Sequence, residues 1–343
     1  MLTMILGTDW TANQDMILEL LSQDIRSEAP RRILLVPELI THDTERRLCS
    51  VAGNTVSRFA EVLSFSRLTR RICDWANCGM PVCLDSGGRL AAMAAAARQL
   101  HGQLKSYAAM ETRPEFLTGL VDAVDEFKRC CISAADLLSA SKSTEGAFAQ
   151  KLEELSLLLD AYEAICAQGK ADPRDQLTWG LEQLYACDFA QNHVFYVDGF
   201  PDFTRQNMAI LSYLIEKSPN VTISLHCDAP GSRKLAFEKA GETAAQIYRI
   251  AKRAGVPIEI KTLQPKNLLF LPVCDHLFQG NAVLIPPCSQ VMRLLEIDSV
   301  YDECVVAAEQ IMELVHHGAR YRDISVVCPD LATYANADRK SVV

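Results

Sequence analysis

The chain has 343 residues, more than the roughly 250 to 300 at which a single core stops growing, so we expect more than one packing unit. With 49% apolar and 22% charged residues, and no stretch approaching ~18 consecutive apolar residues, the composition excludes disordered, fibrous and membrane-spanning proteins. The formal charge of −9 argues against bulk electrostatic binding to nucleic acid, and early acids (Asp9, Asp15, Glu19) exclude a secretory signal, so we expect a cytoplasmic protein.

Strand and helix signals alternate in the first part of the chain, which predicts an α/β protein with a parallel sheet. Short apolar or β-branched runs predict strands at residues 3–6, 33–36, 61–63, 194–197 and 221–225. A helix is expected after the first strand, because Met16, Ile17, Leu20 and Leu21 recur at helical spacing. Ser64 is expected to cap the helix that follows the third strand.

A different pattern extends from about residue 86 to residue 190, where Ala-rich and Leu-rich helical periodicity predicts an all-helical insertion. Its clearest helices are expected at residues 90–104 and 152–165. The insertion is acidic, since residues 111–190 hold fifteen acids against seven bases.

The last part of the chain predicts a change of domain. Residues 256–287 are Pro-rich and irregular, and a strand at 291–297, a helix at 302–317 and a strand at 324–328 then indicate another α/β unit. We therefore assign residues 1–85 and 191–255 to a core domain, 86–190 to the insertion, and 256–337 to a linker and the beginning of a second domain.

Cysteine usage indicates reduced thiols and no metal site. The 13 Cys include no Cys-x-x-Cys, and the tightest group, Cys73, Cys78 and Cys83, has a spacing that matches no zinc ribbon or knuckle.

The cations of residues 1–90 are ten Arg and no Lys, against eleven acids. Arg pairs occur at residues 31–32, 46–47 and 70–71, and Arg binds phosphate oxygens as a planar fork. A local phosphate-facing surface is therefore one interpretation, and solvated helix faces are the other.

The first strand, loop and helix occupy the place of a P-loop, whose pattern is G-x-x-x-x-G-K-[ST]. In this chain those positions are Gly7, Ala12, Asn13 and Gln14. The lysine that neutralises phosphate charge is missing, and the loop carries Asp9, so we expect a degenerate nucleotide-binding loop without a cation. An ordinary βα turn is the alternative.

The fourth predicted strand ends in Asp198, where P-loop ATPases hold Mg²⁺. The next residue is usually Glu in members that hydrolyse ATP, and here it is Gly199. We therefore expect no catalytic residue. A polar strand terminus, with Asp202 capping the next helix, is the alternative.

Several segments in one order carry a resemblance to a known family: LLVPELITHDTERRL, EVLSFSRLTRRI, DEFKRCCISAADLL, VDGFPDFTRQ and ARYRDISVV. Together they resemble the amino-terminal part of AddB proteins, the deoxyribonuclease subunits of bacterial AddAB helicase-nucleases, from residue 2 to about 334. The resemblance implies a P-loop NTPase-like, superfamily 1 helicase-like parallel sheet with a helical insertion and the start of a second α/β domain.

The resemblance also implies function and partners. AddB-like proteins join an AddA-like motor, and the complex unwinds and degrades DNA from double-strand ends until the AddB part recognises a Chi sequence as a single strand. Full-length members carry a nuclease domain with Mg²⁺ chemistry and a [4Fe-4S] cluster, and usually an intact ATP-binding loop. For this chain we expect no cofactor, no membrane association, and the role of an inactive helicase-like scaffold.

Candidate DNA-binding residues follow from the matching motifs and are Thr41, Ser64, Phe65, Ser66 and Arg67. A hydroxyl, a backbone N–H or Arg at these positions suits the phosphates of a single strand, and helix capping or packing is the alternative. The family commonly has Gln, Phe and Gln where this chain has Leu39, His42 and Asp43.

The end of the chain has its own interpretation. Residues 338–343, DRKSVV, are also what a widely used sequencing-adapter sequence encodes, so we interpret them as an artefact following a partial reading frame.

Two other functions stay open at this point. One is a working P-loop ATPase with altered loop chemistry, which micromolar Mg²⁺-dependent binding of an ATP analogue, lost in Asp198→Ala, would favour. The other is a structural α/β protein, which absence of binding to DNA or to an AddA-like partner would favour.

Overall fold

The computed structural model describes residues 1–26, 31–53, 55–107, 113–265, 276, 280 and 292–334. The chain divides into two compact units, Met1–Ala282 and Val283–Val343. The first unit contains a parallel sheet and many helices, which confirms the predicted α/β class.

One sheet of six strands forms within the described part of the first unit. Its strands are β1 (Leu2–Gly7), β2 (Arg32–Leu35), β3 (Ala60–Leu63), β4 (Val194–Val197), β5 (Val221–Leu225) and β6 (Ile258–Leu263). Their order is β3-β2-β4-β5-β1-β6, and every neighbouring pair is parallel. The five predicted strands are confirmed, because short runs of buried apolar residues are typical of strands covered on both faces.

Helices connect the strands and cover the sheet. They are α1 (Trp10–Arg26), α2 (Thr41–Ala52), α3 (Phe65–Ala76), α4 (Ser86–Gln99), α5 (Pro114–Arg129), α6 (Ala134–Lys142), α7 (Gly146–Ala167), α8 (Gln176–Ala186), α9 (Arg205–Lys217) and α10 (Glu238–Arg253). The predicted helix after the first strand is α1.

Two apolar cores lie on opposite faces of the sheet because successive side chains of a strand point to opposite sides. Met4 of β1 packs in one core with Leu68 of α3 and Ile247 of α10. The next residue, Ile5, packs in the other core with Ile17 of α1. The helices therefore hold the strand ends, and the loops that follow them, in fixed positions.

The helices α4 to α7 form a bundle with an apolar core of its own, which includes Met93, Leu120, Leu158 and Tyr162. The elements of regular structure described between residues 86 and 190 are thus helices, as the periodicity indicates. The last helix of this stretch, α8, packs instead in the core of the sheet through Leu184.

Strand β6 corrects the expectation that residues 256–287 form an irregular linker. Residues 258–263 instead pair with β1, with Ile260 opposite Met4. Glu259 and Lys261 alternate with apolar residues there, and β6 lies at an edge of the sheet, where charged side chains reach solvent. Because charged and apolar residues alternate in this half-exposed strand, it lacks the continuous apolar run by which the other strands are predicted.

The second unit contains α11 (Val300–His316), capped by the hydroxyl of Ser299, which accepts a hydrogen bond from the N–H of Asp302 at 3.2 Å. The predicted helix is confirmed, but residues 292–297 and 324–328 form no strand. Residue 291 and the tail at 338–343 lie outside the described residues. Among the helices that are described, none has the length and apolar character needed to cross a membrane.

Candidate nucleotide site and nucleic-acid interface

The predicted site residues lie where parallel strands end. Thr8, Val36, Ser64 and Asp198 follow β1, β2, β3 and β4 directly, so the loops after these strands share one edge of the sheet. Ligands of open α/β sheets bind at this edge. We name it the carboxyl edge and define it by residues 7–14, 36–43, 64–67 and 198–204.

The loop after β1 places an acid at the amino terminus of α1. Oδ1 of Asp9 accepts hydrogen bonds from the N–H groups of Thr11 at 2.9 Å and Ala12 at 3.2 Å. In a P-loop, N–H groups of this first turn cradle phosphate. Here a carboxylate of the same chain occupies their donors, as expected of Asp just before a helix.

The lysine position is occupied by Asn13, whose side chain is 3% exposed. Its Nδ2 donates to the carbonyl oxygens of Gly7 at 3.3 Å and Leu225 at 3.0 Å, which ties the ends of β1 and β5 together. A Cβ atom at Gly7 would collide with the amide oxygen of Asn13. The absence of a side chain at Gly7 therefore makes space for the amide of Asn13. Ala12, which is buried, has no polar side chain that could bind a ligand beside that amide.

A cation does lie near this site, contrary to the expectation from the loop sequence, and it comes from α2. Arg47 donates from Nη1 to Oε1 of Gln14 and, at 2.9 Å, from Nη2 to Oδ1 of Asp15. Gln14 stands at the position where a P-loop hydroxyl binds Mg²⁺. Arg47 is thus already bonded within the chain, and no local sequence signal links it to a loop some 33 residues earlier.

Asp198 is 4% exposed at the end of β4, and the Ser224 hydroxyl donates to its Oδ1. Burial raises the pKa of Asp198 above its ordinary value, while the Ser224 hydroxyl, the Gly199 N–H and the charge of Arg47 oppose that shift. Oδ1 of this buried carboxyl already accepts the Ser224 hydrogen bond, so that atom is not free to ligate Mg²⁺.

The structure explains why Gly199 stands at the position where ATP-hydrolysing P-loop proteins usually have Glu. Its φ is +82°, and a Cβ atom there would lie 2.8 Å from Cδ1 of Ile40 and 3.1 Å from Cδ of Pro37. The loop after β4 therefore packs against the turn after β2 with its backbone. A side chain that activates water does not fit at this position.

The residues of the site do not fit Mg²⁺-ATP. The N–H groups of the first turn are bonded to Asp9, the amide of Asn13 at the lysine position is bonded to two carbonyl oxygens, and Oδ1 of Asp198 accepts the Ser224 hydroxyl. In the part of the chain that the structure describes, no group of three or more His, Cys, Asp or Glu is placed to hold a metal ion, and all cysteines are free.

The helix after β4 is capped by a different residue from the one predicted. Thr204, and not Asp202, accepts the hydrogen bond from the N–H of Asn207, at 3.2 Å. Asp202 forms an ion pair with Lys239 of α10. Between these two residues, Phe203 packs against the apolar core on this face of the sheet.

The predicted DNA-binding residues divide into buried and exposed members. Ser64 is 3% exposed and its hydroxyl accepts a hydrogen bond from the N–H of Arg67 at 3.4 Å, which confirms it as the cap of α3. Phe65 is buried, whereas the side chains of Ser66 and Arg67 are exposed. Thr41 is half-buried and donates to the carbonyl oxygen of Glu38 at 2.9 Å. DNA contact by these residues stays a prediction.

Three aromatic rings join the loops after β3 and β4. Phe65 contacts Phe200 edge to face, with ring centroids 5.5 Å apart, and Phe200 stacks on Phe203 at 5.0 Å. We call these three residues the aromatic cluster. Phe200 and Phe203 are half-buried, and their signal in the sequence is the repeated aromatic in DGFPDFT. Nearby in the chain, Leu39 is 95% exposed on the turn before α2.

The fold and the site together define a P-loop NTPase-like α/β protein whose nucleotide loop is degenerate. The loop of β1 and the acid of β4 stand at the same sheet edge, as in that class, but their side chains bond to neighbouring groups of the chain in place of a nucleotide.

The family follows from comparison with known proteins. A family model described as "ADDB, N-terminal" matches residues 4–272, so the chain belongs to the AddB amino-terminal family. This finding confirms the resemblance seen in the sequence motifs.

Curated relatives cover nearly the whole chain. It is 28% identical to the B subunit of an ATP-dependent helicase/deoxyribonuclease of Acetivibrio thermocellus and 28% identical to that of Desulforudis audaxviator, each across 97% of this chain and 30% of the relative. A protein of the same name from Listeria monocytogenes is 22% identical over 97% of the chain and 30% of its own length. The chain thus spans about 30% of the length of these relatives.

Proposed function

We propose that this chain is the amino-terminal part of an AddB-like subunit of a bacterial helicase-nuclease, and that its first unit binds single-stranded DNA at the carboxyl edge without hydrolysing ATP. The observation that carries the proposal is the exposure of Ser66 and Arg67 beside the aromatic cluster, on an edge whose nucleotide loop is filled by Asp9 and Asn13. The relatives' name supplies the class of process, an ATP-dependent helicase joined to a deoxyribonuclease.

Phosphate contacts are proposed for the first turn of α3. Ser66 and Arg67 project from that turn, and the N-terminus of a helix favours an anion through its N–H groups and dipole. None of the described acids forms an ion pair with Arg67, so its guanidinium can donate to a phosphate. Such contacts position a strand without reading its bases.

Base contacts are proposed for the aromatic cluster. Bases stack on aromatic side chains with about 1–3 kcal/mol per base, largely independent of sequence. Phe200 and Phe203 are half-buried residues, and their rings lie against each other and against Phe65 of α3. Leu39 and Thr41 continue this surface towards the loop after β2, where Gly199 packs against Ile40.

A partner has to supply the energy for unwinding in this proposal, because this site lacks a phosphate-neutralising Lys, a free first-turn donor set and a water-activating Glu. We assign that role to an AddA-like subunit. Recognition of a Chi sequence in the single strand belongs to the same proposal for the full-length protein.

The negative charge of the helical insertion is expected to keep DNA away from its surface. Exposed acids of α5 and α7, such as Glu115, Asp122 and Asp160, repel phosphates. In the proposal this face directs the strand to the carboxyl edge or contacts the AddA-like partner.

The test is the anisotropy of a labelled single-stranded oligonucleotide titrated with the full chain at several salt concentrations. Arg67→Gln should raise Kd and should reduce the slope of log K against log salt by about 0.7, the value for one phosphate contact on a single strand. The matched control is Arg249→Gln on α10, because Arg249 is exposed and its Nε bonds only within the helix, to the carbonyl oxygen of Ala245.

The proposal predicts that Arg249→Gln binds like the unchanged chain. If Arg67→Gln and the unchanged chain have the same Kd and the same salt slope, the carboxyl edge is not the surface that binds the single strand. A chain that binds neither DNA nor an AddA-like partner in a pull-down would point to a purely structural role.

A further inference from the structure

A small polar cavity of about 110 Å³ lies at the amino-terminal ends of β2, β3 and β4, on the edge of the sheet opposite to the carboxyl edge. Its lining includes Arg31 before β2, residues 57–59 before β3 and His193 before β4. We name it the amino-edge cavity. Its volume is well above the ~10–15 Å³ that one water molecule needs, so a small polyatomic group fits.

The amino-edge cavity has more cations than anions. Its lining residues with ionisable side chains are Arg31, Arg32, Arg58, Arg71, Glu61 and His193. Arg71 donates from Nε to both carboxylate oxygens of Glu61, at 3.0 and 3.1 Å, and Arg32 donates to Asp24 at 3.1 Å. These two guanidinium groups are therefore compensated by acids.

The other two guanidinium groups are not compensated in the same way. Arg58 forms no ion pair and no side-chain hydrogen bond with any described residue, and it is exposed. Arg31 donates to Oδ1 of Asn192 at 3.2 Å and lies 5.0 Å over the ring of Trp75, neither of which is an acid. The carboxylate of Asp188 is near Arg31 but accepts a hydrogen bond from Trp75 Nε1 at 2.8 Å.

A buried imidazole completes the lining. His193 is 3% exposed, and its Nδ1 donates to the carbonyl oxygen of Phe189 at 2.8 Å. Stacking on Phe189, with ring centroids 4.0 Å apart, fixes the ring plane. Because Nδ1 carries the donated hydrogen, Nε2 of the neutral ring is an acceptor, and it can accept a hydrogen bond from the hydroxyl of a protonated phosphate.

We propose that the amino-edge cavity binds one phosphate group, held mainly by Arg58 and Arg31 and contacted by His193. Phosphate is the fitting chemistry because a planar guanidinium pairs with two phosphate oxygens at once, and two guanidinium groups that form no ion pair with a described residue border one small space. The site lies on the other edge of the sheet and is independent of the single-strand surface proposed above.

The first experiment measures the thermal stability of the full chain with inorganic phosphate and with sodium chloride at equal ionic strength. Phosphate should raise Tm more than chloride does, because a ligand that binds only the folded chain stabilises it. Arg58→Gln should abolish most of this difference and raise the Kd for phosphate about ten- to hundredfold, as expected for charge-assisted hydrogen bonds.

The matched control is Arg98→Gln on α4, since Arg98 is exposed and its Nε bonds only to the carbonyl oxygen of Ala94 in its own helix. It should keep the full effect of phosphate. Equal Tm shifts in phosphate and chloride, or an undiminished phosphate effect in Arg58→Gln, would overturn the proposal.

A second arm separates two sources of the phosphate, a DNA strand and a free or small-molecule phosphate. If Arg58→Gln also weakens binding of a labelled single strand and phosphate competes with that strand, the phosphate belongs to DNA. If only the Tm effect changes, the ligand is a small phosphate. Arg67→Gln should keep the phosphate effect in both cases, so failure of the single-strand surface and failure of this cavity give different results.

Discussion

A Cβ atom on Gly199 would lie 2.8 Å from Cδ1 of Ile40, so the loop that follows the acid of β4 packs against the turn after β2 without space for a side chain. This contact joins two loops of the proposed DNA surface. It also explains why the chain has no residue there to activate water.

Gly199→Ala should therefore lower the free energy of unfolding through two costs. A positive φ costs a residue with a Cβ about 1–2 kcal/mol, and overpacking adds about 1–3 kcal/mol. Gly102→Ala is the matched control, because Gly102 has the same φ of +82° with no heavy atom within 4 Å of its Cβ position. Urea denaturation of both variants should show the larger loss for Gly199→Ala, and equal losses would contradict the packing described here.

Asp198→Asn should change the pH dependence of stability in a defined direction. Burial raises the folded-state pKa of Asp198, so its contribution to stability is fully present below the unfolded value near 4 and is lost as pH rises through the folded pKa. Asn does not titrate, so the variant should gain stability relative to the unchanged chain as pH rises from about 4 through the folded-state pKa of Asp198.

Thermal melts at several pH values measure this difference. Asp202→Asn is the control, because Asp202 is part of a surface ion pair with Lys239 and should show only a small effect. A difference between Asp198→Asn and the unchanged chain that stays constant with pH would show that Asp198 is an ordinary ionised carboxylate.

The helical bundle depends on a buried acid. Asp172 is fully buried, accepts a hydrogen bond from the Tyr162 hydroxyl at 2.8 Å, and lies 3.3 Å from Arg89 and 3.5 Å from Lys128. Burial opposes its ionisation, yet the N–H of Arg174, Lys128, Tyr162 and Arg89 together hold the pKa of Asp172 below its ordinary value.

Asp172→Asn should cost about 1–3 kcal/mol of unfolding free energy at pH 7, because Arg89 and Lys128, both buried, each lose one of two carboxylate partners. The lowered pKa means that this contribution is present above the unfolded pKa near 4 and is lost as pH falls through the folded pKa, so the deficit should shrink in acid. Glu126→Gln, at a side chain 66% exposed that pairs with the exposed Arg129, should cost only about 0–1 kcal/mol in the same urea titration. Similar losses for both variants would contradict the role of burial.

Much of the fold follows from local patterns. The bounds of β4 and β5 are predictable from β-branched apolar runs, and Ser64 is recognisable as a helix cap by its type and place. Strand β6 is not predicted because Glu259 and Lys261 interrupt its apolar pattern. Its pairing with β1 depends on a position at the edge of the sheet, which no local sequence pattern indicates.

The position of the candidate site in the fold is predictable from the sequence, whereas most of its side-chain contacts are not. The absence of Lys and Glu is evident from the sequence, and Asp9 stands just before Trp10, the first residue of α1, which is a capping signal. Arg47 escapes prediction because its bond to Gln14 joins separate helices. The contrast between the buried Ser64 and its exposed neighbours in the first turn of α3 also requires the packing of that helix on the sheet.

The sharpest measurement for the proposed function is the Kd of the full chain for a labelled single-stranded oligonucleotide, with and without millimolar Mg²⁺-ATP. Asp9 and Asn13 fill the nucleotide loop, so we predict binding without nucleotide and the same Kd, within about twofold, in its presence. No binding in either condition, or a change of Kd of about tenfold caused by Mg²⁺-ATP, would show that the carboxyl edge is not a nucleotide-independent surface for single-stranded DNA.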